Sequence, residues 1–228
     1  MLNEESLVWP KHDLARRSGD ARPNKRSRTS DRQGANAMEE TAKLSLGKKT
    51  PEDARPPANE ILDQVKREVG MVPNLYAFMA NAPGLLDTYL RGQETFRKHS
   101  GFNPVEQEII LLSISYENGC EYCMAAHSTI ADTQSNVPRE VTEALRSGSP
   151  VPDARLSALS NFTRTMVVKR GRPSQDEVEH FLQAGYTEEQ VLQIILAVGI
   201  KVLSNYTNHV CHTPVDRPFA SRSWTRPA

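Results

Sequence analysis

A single all-α, multi-helix domain is predicted by three features of the sequence. Apolar residues recur at helical spacing, proline and glycine cut the chain into helix-length segments, and no stretch alternates polar and apolar as a half-buried strand would. The pattern begins at Pro57. Before it, residues 1–56 are rich in Arg, Ser, Asn and Asp without apolar period, and are predicted to form a disordered extension. A mean hydropathy of −0.56 and a hydrophobic content of 38% agree with a chain that is not folded throughout. Met38 could head a shorter form of the protein. The cluster Lys25-Arg26-Ser27-Arg28 reads as a solvated tail, because acidic residues interleave and no aromatic platform accompanies it.

The elements follow in order. Pro56-Pro57 lead into ANEILDQVKREVG, where Ile61, Leu62, Val65 and Val69 share a helical face and Gly70 suits the C-terminal stop. A short loop, MVPN, precedes LYAFMANAP and then GLLDTYLRGQETFRKH, whose basic end complements a helix C-terminus. Tyr76, Phe78, Met79 and Phe96 read as core or interface residues. Pro104 opens PVEQEIILLSISYEN, which breaks at Asn118-Gly119, and the next helix runs from about Cys120 to Ala131. Pro138, Pro152 and Pro173 punctuate three further segments, the second being LSALSNFTRTMVVKR. The apolar helix EEQVLQIILAVGIKVLSNYTNHV closes a domain spanning 57–213. Its polar end, Asn205, Tyr206, Asn208 and His209, reads as a frayed terminus rather than as part of a site. Residues 214–228 are expected to be an irregular tail in which Trp224 packs on a neighbour or dangles.

Bulk properties narrow the function. A formal net charge of +0 and a pI near 7 give no field to draw nucleic acid or an anionic membrane, so neither partner is expected. There is no run of some 18 apolar residues to predict a membrane span. The first residues lack the apolar stretch of a signal peptide, and Glu4, Glu5, Asp13, Asp20 and Asp31 argue against a transit peptide, so a reducing, cytoplasmic setting is expected. Neither GxGxxG nor a P-loop occurs, and no cofactor is expected.

The chemistry concentrates in Glu108-IILLSISYENG-Cys120-Glu-Tyr-Cys123-Met-Ala-Ala-His127. Only three cysteines occur, Cys120, Cys123 and Cys211, too few for a disulfide framework, and Cys211 reads as a plain thiol. Cys123 and His127 are four residues apart and so lie on one helix face, with Cys120 a turn earlier at the helix N-terminus. Unpaired N–H groups and the helix dipole stabilise a thiolate there. His127 is suited to take the Cys123 proton at neutral pH. Glu108, a carboxylate on an apolar helix, needs a partner, and orienting His127 would supply one. Taken singly, Glu108 reads as a partly exposed helix carboxylate and His127 as a satisfied core residue; together with a CxxC pair they point to chemistry or metal. Zinc bound by Cys120, Cys123, His127 and one of His209, Cys211 or His212 is the rival, weakened by the absence of a second CxxC or HxxxH pair, so no metal is expected.

The spacing E-x11-C-x-x-C-x-x-x-H resembles that of the carboxymuconolactone decarboxylase-like superfamily, in particular its alkylhydroperoxidase D-type branch, over residues 57 to about 213. The resemblance implies an all-α fold, assembly as a homotrimer or a hexamer of such trimers, and reduction of hydroperoxides by a CxxC pair. It implies that Cys123 attacks the peroxide, Cys120 resolves the resulting sulfenic acid, and a thiol or protein disulfide reductant restores both. Glu108 and His127 would form the proton relay. The alkylhydroperoxidase carries a histidine between its cysteines where this chain has Tyr122, a possible relay residue but a poor proton shuttle near neutral pH. Three functions compete: a thiol peroxidase or disulfide oxidoreductase, which is favoured; a lyase on a small cyclic acid using His127 and Glu108; and a zinc-stabilised helical scaffold.

Overall fold

The computed structural model describes residues 41–227, which form α-helices with no strand among them. The elements are α1 (Ala58–Val69), α2 (Asn74–Met79), α3 (Pro83–His99), α4 (Pro104–Glu117), α5 (Glu121–Thr133), α6 (Arg139–Ser147), α7 (Ala154–Val168), α8 (Gln175–Gln183), α9 (Glu188–Cys211) and a 3₁₀ helix, Arg217–Arg222. The fold class is as predicted. The readings of Lys25-Arg26-Ser27-Arg28 and Met38 lie outside the described residues.

Helix α4 is the centre. Every residue from Glu106 to Ser115 is buried, and α5, α6, α7 and α9 pack around it. A helix apolar on all sides has to sit inside, and IILLSIS is such a run. Asn103 and Glu106 close a capping box at its start, beside Pro104 at the first helical position. It ends where Gly119 takes a φ of 65°, a left-handed conformation that glycine adopts without penalty. That break turns the chain so that α5 packs back along α4 and brings Cys123 and His127 towards the helix that carries Glu108. On the far side, stacked rings of Phe162, Phe181 and Tyr186, with centroids 4.4 and 4.7 Å apart, tie α8 to α7.

Three boundary readings are corrected. The extension drawn to residue 56 is too long: residues 44–49 already lie on the domain, with Leu44 N–H donating to Val210 O at 2.8 Å and Lys49 N–H to Ala77 O at 2.8 Å. Backbone pairing holds this segment, and its Leu44 and Leu46 side chains stay exposed, so it carries no buried apolar face. The C-terminal tail is packed: Asp216 and Trp224 are buried, and the Trp224 indole N–H donates to Arg146 O at 2.7 Å. Asn205, Thr207 and Asn208 are buried within a helix that continues to Cys211 and is not frayed.

By length and mean hydropathy, 1.2 over 18 residues, α9 could cross a membrane. Its buried face, however, holds Lys201, Ser204, Asn205 and Asn208, and it packs on α3, α4, α2 and α7, as a core helix does.

Candidate active site

Cys120 is the N-cap of α5 and Cys123 lies in its first turn; both are buried free thiols. Across them runs α9. Asn208 Nδ2 donates to Cys123 Sγ at 3.3 Å and to Cys120 Sγ at 3.6 Å, and Ser204 Oγ is 3.9 Å from Cys123 Sγ. Burial pushes the Cys123 thiol up, but the hydrogen bond from Cys120 and the Lys201 ammonium together hold it well below the usual thiol range. Cys120 moves the other way, raised by donating its proton to Cys123, by burial and by the Cys123 charge. One proton is thus shared unequally, and the pair is described best as a Cys123 thiolate accepting from a Cys120 thiol.

One turn along α5, His127 Nδ1 is 2.9 Å from Glu108 Oε2. Glu108 is fully buried, and its other oxygen accepts from the Arg97 guanidinium, which Gln107 steadies through a 3.1 Å bond. Burial works against the Glu108 charge, but His127 and Arg97 outweigh it and hold the carboxyl below its ordinary value. Burial and Lys201 keep His127 below the ordinary imidazole value in spite of Glu108. A neutral imidazole that donates from Nδ1 to a carboxylate leaves Nε2 free to accept a proton. The orienter and base inferred from sequence are therefore together. No direct hydrogen bond joins His127 to Cys123 among the described contacts; the sulfur is engaged by Cys120, Ser204 and Asn208.

A cavity of about 180 Å³ opens onto this group. Its walls are Pro73, Leu75, Tyr76, Tyr89, Ile130 and Phe219, with Tyr122, Cys123, Arg97 and His127 at the polar end. Of the three cysteines only Cys123 lines it. Burial pushes the Tyr76 hydroxyl up to about 12, so this wall stays uncharged. The structure does not bring Tyr122 into a chain from His127 to the thiols. Its hydroxyl donates to Asp216 at 2.5 Å, and burial and that carboxylate hold it far above the ordinary phenol range. Asp216 also accepts from Asn74 N–H at 3.1 Å, so the C-terminal segment is latched to both α2 and the site. Among the described residues no three His, Cys, Asp or Glu side chains converge to hold a metal ion.

Residues 83–164, which include Glu108, both cysteines and His127, match the model of the carboxymuconolactone decarboxylase family. Over that stretch the chain is similar to the carboxymuconolactone decarboxylase family. Its likeness to solved structures extends further along the chain. An alkylhydroperoxidase AhpD core, an uncharacterized peroxidase-related protein from Ralstonia eutropha, is 20% identical with a TM-score of 0.68, over 76% of this chain and 93% of that one. A peroxidase-related protein from Silicibacter is 20% identical with a TM-score of 0.65, over 83% and 99%. The debrominase Bmp8, in complex with 2,3,4-tribromopyrrole, is 17% identical with a TM-score of 0.63, over 80% and 97%. No curated protein matches the chain. At these identities the likenesses define the fold alone, an all-helical arrangement that the chain shares with these proteins.

Sequence reasoning missed Arg97, Lys201, Ser204 and Asp216, and set Asn208 aside. Lys201 left a signal: a lone cation inside an apolar helix, three and seven residues before Ser204 and Asn208 on the same face.

Proposed function

We propose that this protein reduces an organic hydroperoxide with the Cys123–Cys120 pair. The observation that carries the reading is that Cys123, alone of the cysteines, lines an apolar cavity together with an imidazole backed by a buried carboxylate. Aromatic walls favour a substrate with a hydrocarbon body over hydrogen peroxide, because burying apolar surface is worth about 25 cal/mol per Å². In the first half-reaction the Cys123 thiolate takes the distal oxygen, the O–O bond breaks, and a solvent proton taken up at His127 Nε2 passes to the departing alkoxide. The products are a sulfenic acid and an alcohol. In the second, Cys120 attacks the sulfenic sulfur, the S–S bond forms and water leaves. A thiol or protein disulfide reductant returns two electrons and two protons. A titration of free thiols in the reduced protein, before and after one equivalent of cumene hydroperoxide, should show two of the three thiols lost and recovered with a dithiol. Persistence of all three for many minutes would sink the reading.

The same aromatic walls support a second reading, in which a flat brominated ring occupies the cavity. Cys123 would take the bromine as the ring carbon gains a proton, and Cys120 would then displace bromide to give the disulfide. Substituting a bromopyrrole for the hydroperoxide in that titration, with bromide measured, separates the two.

The protein is also proposed to be a homo-oligomer, a trimer or a hexamer built from trimers. Leu192, Ile195, Tyr206 and Val210 are exposed along one side of α9, beside an apolar hollow of about 630 Å³ that includes Val198 and Val202. A second copy would cover a continuous apolar stripe of this kind. Sedimentation at micromolar concentration should show no monomer; a monomer alone would contradict it.

A further inference from the structure

Lys201 is fully buried, and its Nζ has no hydrogen-bond partner among the described residues. A buried ammonium needs an anion close by. The three buried acidic side chains are already engaged: Glu106 by Arg155, Glu108 by Arg97 and His127, Asp216 by Tyr122 and Asn74. What remains is sulfur. Lys201 lies one turn before Ser204 and two before Asn208, the two α9 residues that touch the cysteines, so its side chain is on the face that covers them.

We propose that Lys201 is a positioning residue, the fixed counter-ion that keeps Cys123 as a thiolate in the reduced protein. Cys123 is faced by Cys120, Tyr122 and His127 from its own helix, by Tyr76 and Tyr89 from α2 and α3, and by Lys201 and His209 from α9, while Arg97, on the same cavity, is paired with Glu108. Burial lowers both histidines and raises all three tyrosines, leaving them neutral near pH 7. Lys201 is then the cation of this group. When the pair becomes a disulfide the anion disappears while the ammonium stays, so Lys201 also favours the dithiol state over the disulfide.

The proposal rests on Cys123 being the attacking thiol, but its test needs no peroxide. Iodoacetamide alkylation of Cys123 in the full, reduced chain is followed against pH, with the site mapped by mass spectrometry. Lys201→Met should raise the midpoint by one unit or more and slow alkylation at pH 6 at least tenfold, with Lys201→Arg in between. In a dithiothreitol equilibrium, Lys201→Met should make the disulfide at least tenfold harder to reduce, about 30 mV for two electrons. Lys201→Gln gives the same comparison if the methionine variant fails to fold. An unmoved midpoint in a folded variant overturns the proposal. If both shifts appear while hydroperoxide leaves the thiols untouched, Lys201 keeps this role and the peroxidase reading falls alone.

Discussion

With one equivalent of organic hydroperoxide, the Cys120→Ser protein is expected to stop at a sulfenic acid on Cys123, and the Cys123→Ser protein to consume none. The asymmetry follows from the site. Cys123 lines the cavity and is the sulfur favoured as an anion, whereas Cys120 is fully buried, outside the cavity wall, and held as the proton donor. A serine at 123 has no accessible anion at neutral pH, so turnover should fall to background. A serine at 120 still donates to Cys123 but cannot form the second bond, so the sulfenic acid persists and dimedone should label Cys123 alone. Labelling at Cys120, or activity in Cys123→Ser, would reverse the assignment. Hydroperoxide consumption unaffected by both substitutions would mean that the thiols are not the reductant. Product formation from a small cyclic acid that survives Cys123→Ser and fails in His127→Ala would identify a lyase.

The helices were readable from the sequence because their signals are local. Pro104, Gly119 and the run IILLSIS define α4, its start and its stop, and a run apolar on every side announces a central helix. The Glu108–His127 pairing was readable for a different reason: a carboxylate in such a run must find a partner, and His127, one turn beyond Cys123, is a base in need of an orienter. Contacts made by side chains that already had another reason to stand where they do were not readable. Arg97, the second partner of Glu108, ends an amphipathic helix where a basic residue already has the helix dipole as a sufficient reason to be there. Asn208 looked like a helix end because Asn and His are poor helix formers, yet its amide reaches both sulfurs.

The tail shows the same limit more sharply. Asp216 and Phe219 lie in a Pro/Arg/Ser-rich stretch with no periodicity, but one latches Tyr122 and the other walls the cavity. Tyr122 therefore occupies the position between the cysteines as a packed donor to Asp216, edge-on to Phe219 with ring centroids 6.3 Å apart. The residue type suggested an impaired relay; the geometry gives it a structural task on Asp216, apart from the His127–Glu108 pair.

Glu108→Gln is expected to slow hydroperoxide reduction roughly 10²–10⁴-fold, the range for losing a positioned base. Glutamine is nearly isosteric, so the effect is one of proton placement. In the native site one carboxylate oxygen accepts from Arg97 and the other from His127 Nδ1. Arg97 can only donate, so the amide oxygen of glutamine must face it, and the amide NH₂ then faces His127. The imidazole has to accept there, its proton moves to Nε2, and the base is lost. Stability should fall as well, by about 2 kcal/mol, because a charged hydrogen bond between the half-buried Arg97 and the buried carboxylate is weakened. For a chain of this size that is about 4–8 °C in Tm. The pH dependence has a definite sign. Glu108 is held below its ordinary value in the folded protein, so its contribution is complete above the unfolded carboxyl value, about 4.5, and is lost as pH falls through the lower folded value. The Tm gap between native and Glu108→Gln proteins should therefore be constant from pH 7 to about 5 and close at more acid pH. A gap that widens on acidification, or a variant within threefold of native activity, would show that Glu108 neither carries the charge nor sets the tautomer.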